Sequence, residues 1–113
     1  MRKLIFYRNY FLEFYNQQSL DVQEKIEWTL GLVRDLTRIP DKYFKHIEGT
    51  DGIYEIRVQV GTNIYRVFSF FDEGNLVILV NGFQKKTQKT PKKEIKLATQ
   101  LMKEYYNEKR NNY

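Results

Sequence analysis

Residues 53–80 constrain the fold most strongly, because they show the two-residue period of β-strands. Residues 53–60 place apolar or aromatic side chains at every second position, with Glu55, Arg57 and Gln59 between them. Residues 64–71 predict a second strand, and residues 76–80 are apolar throughout, which is typical of a strand covered on both faces. The links are short and rich in Gly, Asn and Asp, so the pattern predicts an antiparallel meander.

Helical and strand patterns on either side complete the predicted order. Residues 4–7 predict a short strand, and two helices follow; Ser19 or Asp21 would cap the second, with Glu24 completing a capping box. Residues 38–52 are interpreted as a loop. A last helix is expected to open at Thr90-Pro91, with threonine as the cap and proline in the first turn.

The predicted fold class is therefore α+β, in the order β-α-α-β-β-β-α. A helical hairpin near the N-terminus and a helix near the C-terminus would pack on a small antiparallel sheet. We expect one domain over residues 1–113, with a frayed tail from about residue 107.

Composition excludes several classes of protein. Apolar residues make up 42% of the chain, with eight Phe and nine Tyr, which is incompatible with a disordered chain. The absence of cysteine excludes disulfides and thiolate metal sites. No cluster has metal-ligand spacing, so no metal or cofactor is expected. The apolar runs are too short for a signal peptide or a membrane span, and we expect a cytoplasmic protein.

The positive charge of the chain is concentrated near its C-terminus. Residues 85–113 hold nine basic and three acidic side chains, a net charge of +6, whereas residues 1–84 hold ten and eleven, a net charge of −1. Five lysines fall within nine residues: Lys85, Lys86, Lys89, Lys92 and Lys93. This asymmetry favours nucleic acid or an acidic protein as the partner, although a solvated lysine-rich helix fits the charge equally well.

Turn geometry makes a specific prediction about two arginines. If the first hairpin turns at Gly61-Thr62, Arg57 lies opposite Arg66 whether the loop has two residues or four. Opposed like charges on one sheet face are unfavourable unless something compensates them, and two guanidinium forks match phosphate oxygens well. Alternatively, Arg57 pairs with Glu55 and Arg66 extends to the surface. Glu55 could orient an arginine or accept a proton, and orientation is the preferred interpretation.

Other candidate site residues follow from their positions. Lys85 and Lys86 leave the third strand of the meander near this arginine pair and could stabilise charge or supply protons. Lys92 and Lys93 fall in the first turn of a helix, where cations oppose the helix dipole and free backbone N–H groups form a ready phosphate site. Lys89, Lys92 and Lys93 are therefore predicted to bind RNA phosphates. His46, the only histidine, is assigned to a surface contact with RNA or a partner in preference to catalysis. Phe68, Phe70 and Phe71 are interpreted as core, with Phe70 or Tyr65 as base-stacking alternatives if exposed.

Three motifs together resemble the HigB-like, phage-derived branch of the RelE/ParE toxin superfamily. They are Glu55-Ile56-Arg57, Tyr65-Arg66-Val67 and the run NGFQKKTQKTP over residues 81–91. The resemblance spans about residues 45–105, and the upstream helices agree in order. The last motif is the most specific of the three.

The resemblance implies a RelE-like fold and a toxin of a type II toxin–antitoxin system. Such toxins are metal-independent mRNA endonucleases that cut mRNA on the ribosome, where rRNA contacts are expected, by attack of a 2′-hydroxyl on the adjacent phosphate. The implied partner is a HigA-like helix-turn-helix antitoxin. Carried over by motif, Arg57 and Arg66 would hold the phosphate, with Lys85, Lys86 and Lys89 stabilising charge.

The chain also departs from the family pattern. RelE has an important tyrosine near the start of its last helix region, where this chain reads Thr-Pro-Lys-Lys, so the general acid and base stay open. A non-catalytic nucleic-acid-binding module or a gyrase-inhibiting, ParE-like toxin is the alternative, since either would use a basic face without a defined phosphate pocket.

Overall fold

The computed structural model describes residues 1–111 as a mixed α+β fold in the order β-α-α-β-β-β-β-α. The strands are β1 (Lys3–Phe6), β2 (Phe44–His46), β3 (Tyr54–Val60), β4 (Asn63–Asp72) and β5 (Leu76–Lys85). The helices are α1 (Tyr10–Asn16), α2 (Leu20–Asp35) and α3 (Lys92–Asn111). Within residues 1–111, no helix combines the length and the apolar composition that crossing a bilayer requires.

The five strands form one sheet in the order β1-β5-β4-β3-β2, which corrects the prediction in two respects. Strand β2 lies in the segment predicted to be a loop, residues 38–52; it has only three residues, too few to show a period, and Phe44 joins the core. Strand β1 pairs with β5 in parallel, so the sheet is mixed and not antiparallel. That pairing joins parts of the chain that are far apart in sequence, so no local sequence pattern predicts it. The meander β3-β4-β5 is antiparallel, as predicted.

Both faces of the sheet are covered, which is why the middle of the sheet is apolar on both sides. Helices α1 and α2 pack on one face, where Ile26 and Val33 join Ile56 and Val67 in a buried cluster. Helix α3 packs on the other, where Leu101 belongs to a second buried cluster. Residues 77–80 of β5 are all buried, which confirms the prediction of a central strand.

Strand β5 continues to Lys85, five residues beyond its predicted end at Val80. A register shift between Val67 and Ser69 of β4 interrupts the ladder, after which pairing resumes. At Gly82 a Cβ atom would lie 2.5 Å from Cδ2 of Phe14, so glycine lets α1 cross close to this part of β5. The polar end of β5 is therefore part of the sheet.

The ends of two helices also differ from the prediction. The Pro91 carbonyl accepts the Ile95 N–H at 3.4 Å, which places Pro91 at the N-cap of α3 and not in its first turn. Helix α3 extends to Asn111, through most of the tail predicted to fray; Asn112 and Tyr113 lie outside the described residues. Ser19 is the N-cap of α2 and its hydroxyl donates to Asp21, so the predicted capping box does not form.

Candidate functional site

Arg57 and Arg66 lie directly opposite each other on β3 and β4, which confirms the predicted register. The hairpin turns at Gly61, whose φ of 60° suits glycine, and Val60 pairs with Asn63. Cross-strand partners in an antiparallel pair share a face, so both arginine side chains emerge on the α3 side of the sheet.

Glu55 lies between the two arginines and contacts both. Its Oε1 is 3.3 Å from Nε of Arg57, and its Oε2 is 3.6 Å from Nε of Arg66. The predicted alternative, in which Arg57 pairs with Glu55, is thus present together with the arginine pair. One carboxylate compensates two guanidinium groups, so the three side chains keep a net positive charge. An anion is the ligand that this arrangement favours.

Arg66 is the more buried arginine, with 5% of its surface exposed, so it does not extend to the surface as the alternative required. Burial lowers the pKa of Arg66; Glu55 raises it, and the neighbouring Arg57 lowers it further. Its Nη1 donates to the Tyr65 carbonyl at 3.1 Å, whereas its buried Nε has no hydrogen-bond partner within the described structure. An additional anionic partner would stabilise a buried guanidinium group of this kind.

Arg57 is less buried and is attached to the turn that precedes β2. Its side-chain Nη1 donates to the Asp41 carbonyl at 3.2 Å. Its backbone N–H donates to the Tyr43 carbonyl at 2.8 Å. The side chain keeps about a third of its surface exposed. The turn at residues 40–44 therefore positions Arg57 while leaving part of the guanidinium accessible.

A cavity of about 510 Å³ opens beside the outer edge of β3, past the end of β2, and both arginines line it. This volume is within the usual range for ligand sites. Four of its lining side chains are basic and none is acidic: Lys25, Lys42, Arg57 and Arg66. Fixed charge of one sign in a concave site raises the local concentration of anions. The arrangement is suited to binding a phosphate group.

The predicted lysine cluster lies next to this cavity and does not line it. Lys85 pairs with Ile64, which lines the cavity. Ile64 is two residues before Arg66 on β4, so Lys85 and Arg66 lie on the same face of the sheet. Lys86, Lys89, Lys92 and Lys93 are exposed on the connection to α3 and on its first turn. Asn81 Nδ2 donates to the Glu94 carbonyl and side chain, both at 3.1 Å, which anchors that turn to β5.

His46 lies on the opposite sheet face from the arginine pair, and the two predicted stacking aromatics are buried. His46 lies opposite Tyr54 on the face that α2 covers, and its Nε2 is 3.2 Å from the Thr50 carbonyl. Phe70 and Tyr65 are 1% and 5% exposed, so neither can stack on a base. The core interpretation of Phe68 and Phe70 is confirmed.

The other wall of the cavity was not predicted from the sequence. Lys25 is on α2, and Lys42 and Tyr43 are in the turn before β2. Trp28 was also missed; it is half exposed and contacts Tyr43. A signal did exist, because Trp28 lies off the apolar stripe of α2, where a tryptophan needs an explanation.

Comparison with known proteins found one family model that covers most of the chain. Residues 13–103 match the family model described as Phage derived protein Gp49-like (DUF891). The matched range includes Glu55, the arginine pair, the lysine cluster and the cavity wall from α2. No curated protein matches the chain.

Proposed function

Because the chain belongs to the Gp49-like family of phage-derived proteins, a family of RelE/toxin-like proteins, we propose that it is a type II toxin with endoribonuclease activity. Its proposed substrate is mRNA on the ribosome. The observation that carries the proposal is the cross-strand pair of Arg57 and Arg66, which shares one carboxylate beside a cavity lined by four cations.

The proposed reaction begins with an RNA phosphodiester held by the two guanidinium groups. The 2′-hydroxyl oxygen attacks phosphorus and gives up its proton, and the bond from phosphorus to the 5′ oxygen breaks. The products are a 2′,3′-cyclic phosphate and a 5′-hydroxyl, whose oxygen takes up a proton. Negative charge accumulates on the phosphoryl oxygens, where fixed cations stabilise the transition state most.

Each of the other predicted residues takes a role that its position allows. Glu55 orients the arginines, since its carboxylate contacts both Nε atoms. Lys85 adds positive charge at the end of β5, two residues along the strand from the partner of Arg66, and Lys86 follows it on the connection to α3. Lys89, Lys92 and Lys93 bind neighbouring phosphates, since they are exposed. His46 receives no role at the scissile phosphate.

The proposal predicts that Arg66→Ala and Arg57→Ala each lower the cleavage rate by about 100-fold or more, the usual cost of removing one transition-state donor. The protein would be added to translating ribosomes and new mRNA 5′ ends mapped. Arg34→Ala is the control, since Arg34 pairs only with the adjacent Asp35 among the described ion pairs. Circular dichroism checks that each variant folds. Arg66→Lys tests whether a positive charge without the planar guanidinium group is enough for cleavage.

Wild-type rates in both arginine variants, or no new 5′ ends with the wild-type protein, would contradict the nuclease proposal. The exposed lysines outside the cavity favour a second candidate, a non-catalytic binding module or a ParE-like gyrase inhibitor. Damage to DNA in the absence of RNA cleavage would support that candidate.

The proposal includes a HigA-like helix-turn-helix antitoxin as partner and a cytoplasmic location. A neighbouring reading frame that encodes such a protein, and its co-purification with this chain, would support the pairing. Growth that is unaffected when the chain is produced alone would count against a toxin.

A further inference from the structure

Two aromatic side chains that the proposed reaction does not use lie at the arginine cavity: Tyr43 lines it, and Trp28 contacts Tyr43. Trp28 on α2 is 49% exposed, and Tyr43 lies in the turn before β2. Their ring centroids are 5.6 Å apart at an interplanar angle of 77°. Tyr43 itself lines the cavity, so the aromatic pair borders the proposed phosphate site.

Each ring also has a lysine next to it. Nζ of Lys25 is 4.3 Å from the Trp28 ring centroid, and Nζ of Lys42 is 5.6 Å from that of Tyr43. Both lysines line the same cavity as Arg57 and Arg66. Accessible aromatic rings next to cationic side chains are typical of sites that bind single-stranded nucleic acid.

Backbone hydrogen bonds hold Tyr43 in a fixed position relative to Arg57. The Tyr43 carbonyl accepts the Arg57 N–H at 2.8 Å, and the Tyr43 N–H donates to the Pro40 carbonyl at 2.9 Å. The Asp41 carbonyl accepts the Arg57 side chain at 3.2 Å. A base that contacts Tyr43 and a phosphate that contacts Arg57 would therefore be neighbours along one strand.

We propose that Trp28 and Tyr43 form a stacking subsite for a nucleobase of single-stranded RNA. The base belongs to a nucleotide next to the phosphate at Arg57 and Arg66, and Lys25 and Lys42 bind the flanking backbone. This subsite rests on the proposed phosphate role of the arginine pair. Stacking accepts any base because every base has a π face, so the subsite sets affinity and position along the strand.

The test uses a 2′-O-methyl RNA oligonucleotide, which lacks the attacking hydroxyl and cannot be cleaved by the proposed reaction. Trp28 is the only tryptophan, so tryptophan emission, excited selectively over the nine tyrosines, reports on this position alone. We expect the oligonucleotide to quench Trp28 emission, and an abasic oligonucleotide of the same length to leave the emission unchanged.

Binding of the same oligonucleotide, measured by fluorescence anisotropy, tests the residues. Trp28→Leu and Tyr43→Ala should each weaken binding by about 5- to 100-fold, the range found when a stacking aromatic is removed. Tyr10→Ala is the matched control, because Tyr10 is 41% exposed and lies on α1, outside the cavity lining. It should bind within about 2-fold of wild type, since no stacking partner is removed.

The outcomes separate this subsite from the proposed nuclease function. Equal binding of the abasic oligonucleotide, an unchanged Trp28 emission, or wild-type binding by both aromatic variants overturns the subsite. In those cases the cleavage rate of Arg66→Ala still decides the nuclease proposal. Loss of binding in Trp28→Leu together with wild-type cleavage in Arg66→Ala supports stacking at Trp28 but overturns the phosphate role, and with it the placement of the base next to that phosphate.

Discussion

At the scale of single residues, Glu55 makes the arginine pair possible. Directly opposed arginines on one sheet face repel each other, and Arg66 has little access to solvent that would screen the charge. The Glu55 carboxylate reaches Nε of both arginines and leaves them with an unbalanced positive charge. Stability and anion binding therefore depend on the same three side chains.

We predict that Glu55→Gln lowers the free energy of unfolding by about 1–3 kcal/mol, because two buried or half-buried cations lose their charged partner. Inorganic phosphate should then raise the melting temperature of the variant more than that of the wild type, since it takes over the role of the carboxylate. Thermal unfolding at increasing phosphate concentration measures both effects.

The exposed Glu13→Gln is the control for this prediction and should respond to phosphate as the wild type does. If phosphate stabilised Glu55→Gln no more than the wild type, phosphate would not take over the role of the Glu55 carboxylate at the arginine pair.

At the scale of elements, hydrogen bonds join both ends of α3 to the sheet. Near its start, Asn81 of β5 donates to Glu94. Near its end, Tyr105 and Lys109 donate to the Asp72 carboxylate at 2.6 and 2.8 Å. These contacts explain why the helix continues past residue 107, and they fix where Lys92 and Lys93 are presented.

The Asp72 contacts predict an effect of pH on stability. Burial raises the pKa of Asp72, but hydrogen bonds from Lys109 and Tyr105 outweigh it and leave the pKa below its ordinary value of 3.8. Ionised Asp72 therefore contributes stability that is complete above that ordinary value and is lost as the pH falls through the lower pKa of the folded state. Wild-type protein should lose this contribution under acid conditions.

Asp72→Asn should be less stable than the wild type at neutral pH and should lose less stability between about pH 5 and pH 2. Urea unfolding at several pH values in this window measures the difference. Asp51→Asn, at an exposed aspartate, is the control and should follow the wild type. If the free energies of unfolding of wild type and Asp72→Asn changed with pH in parallel, the ionised Asp72 carboxylate would contribute nothing to stability.

At the scale of the whole molecule, the basic C-terminal segment and the arginine cavity meet at one end of the sheet. Ile64 lines the cavity and pairs with Lys85, so the exposed lysines leave β5 beside the proposed phosphate site. A polyanion held at the cavity can thus continue along the segment that carries the net excess of positive charge.

We predict that joint replacement of Lys86, Lys89, Lys92 and Lys93 by Gln weakens RNA binding and makes it less dependent on salt. For single-stranded RNA the slope of log K against log salt should fall by about 0.7 for each phosphate that the variant no longer neutralises. Anisotropy of a labelled oligonucleotide between about 50 and 200 mM salt measures this slope.

Replacement of the exposed Lys3 and Lys103 by Gln is the control for general loss of charge. An identical change of slope in that control would mean that the lysine cluster has no particular role.

Local features of the sequence predicted the α+β class, the meander and the pairing of Arg57 with Arg66. Strand periodicity and turn residues operate over a few neighbouring positions, and a short hairpin sets its own register. The same local logic could not reveal β2, which is too short, or the end of α3, which depends on Asp72 of β4.

The amino-acid sequence by itself therefore determined which residues face each other across the first hairpin of the meander, because alternation and turn length are local. Only the tertiary structure decided that β1 joins β5 in parallel and that Lys25 and Tyr43 complete the cavity beside Arg57. Those arrangements join segments far apart in the chain. They result from packing two helices on one sheet face and a third on the other, which no short window of sequence contains.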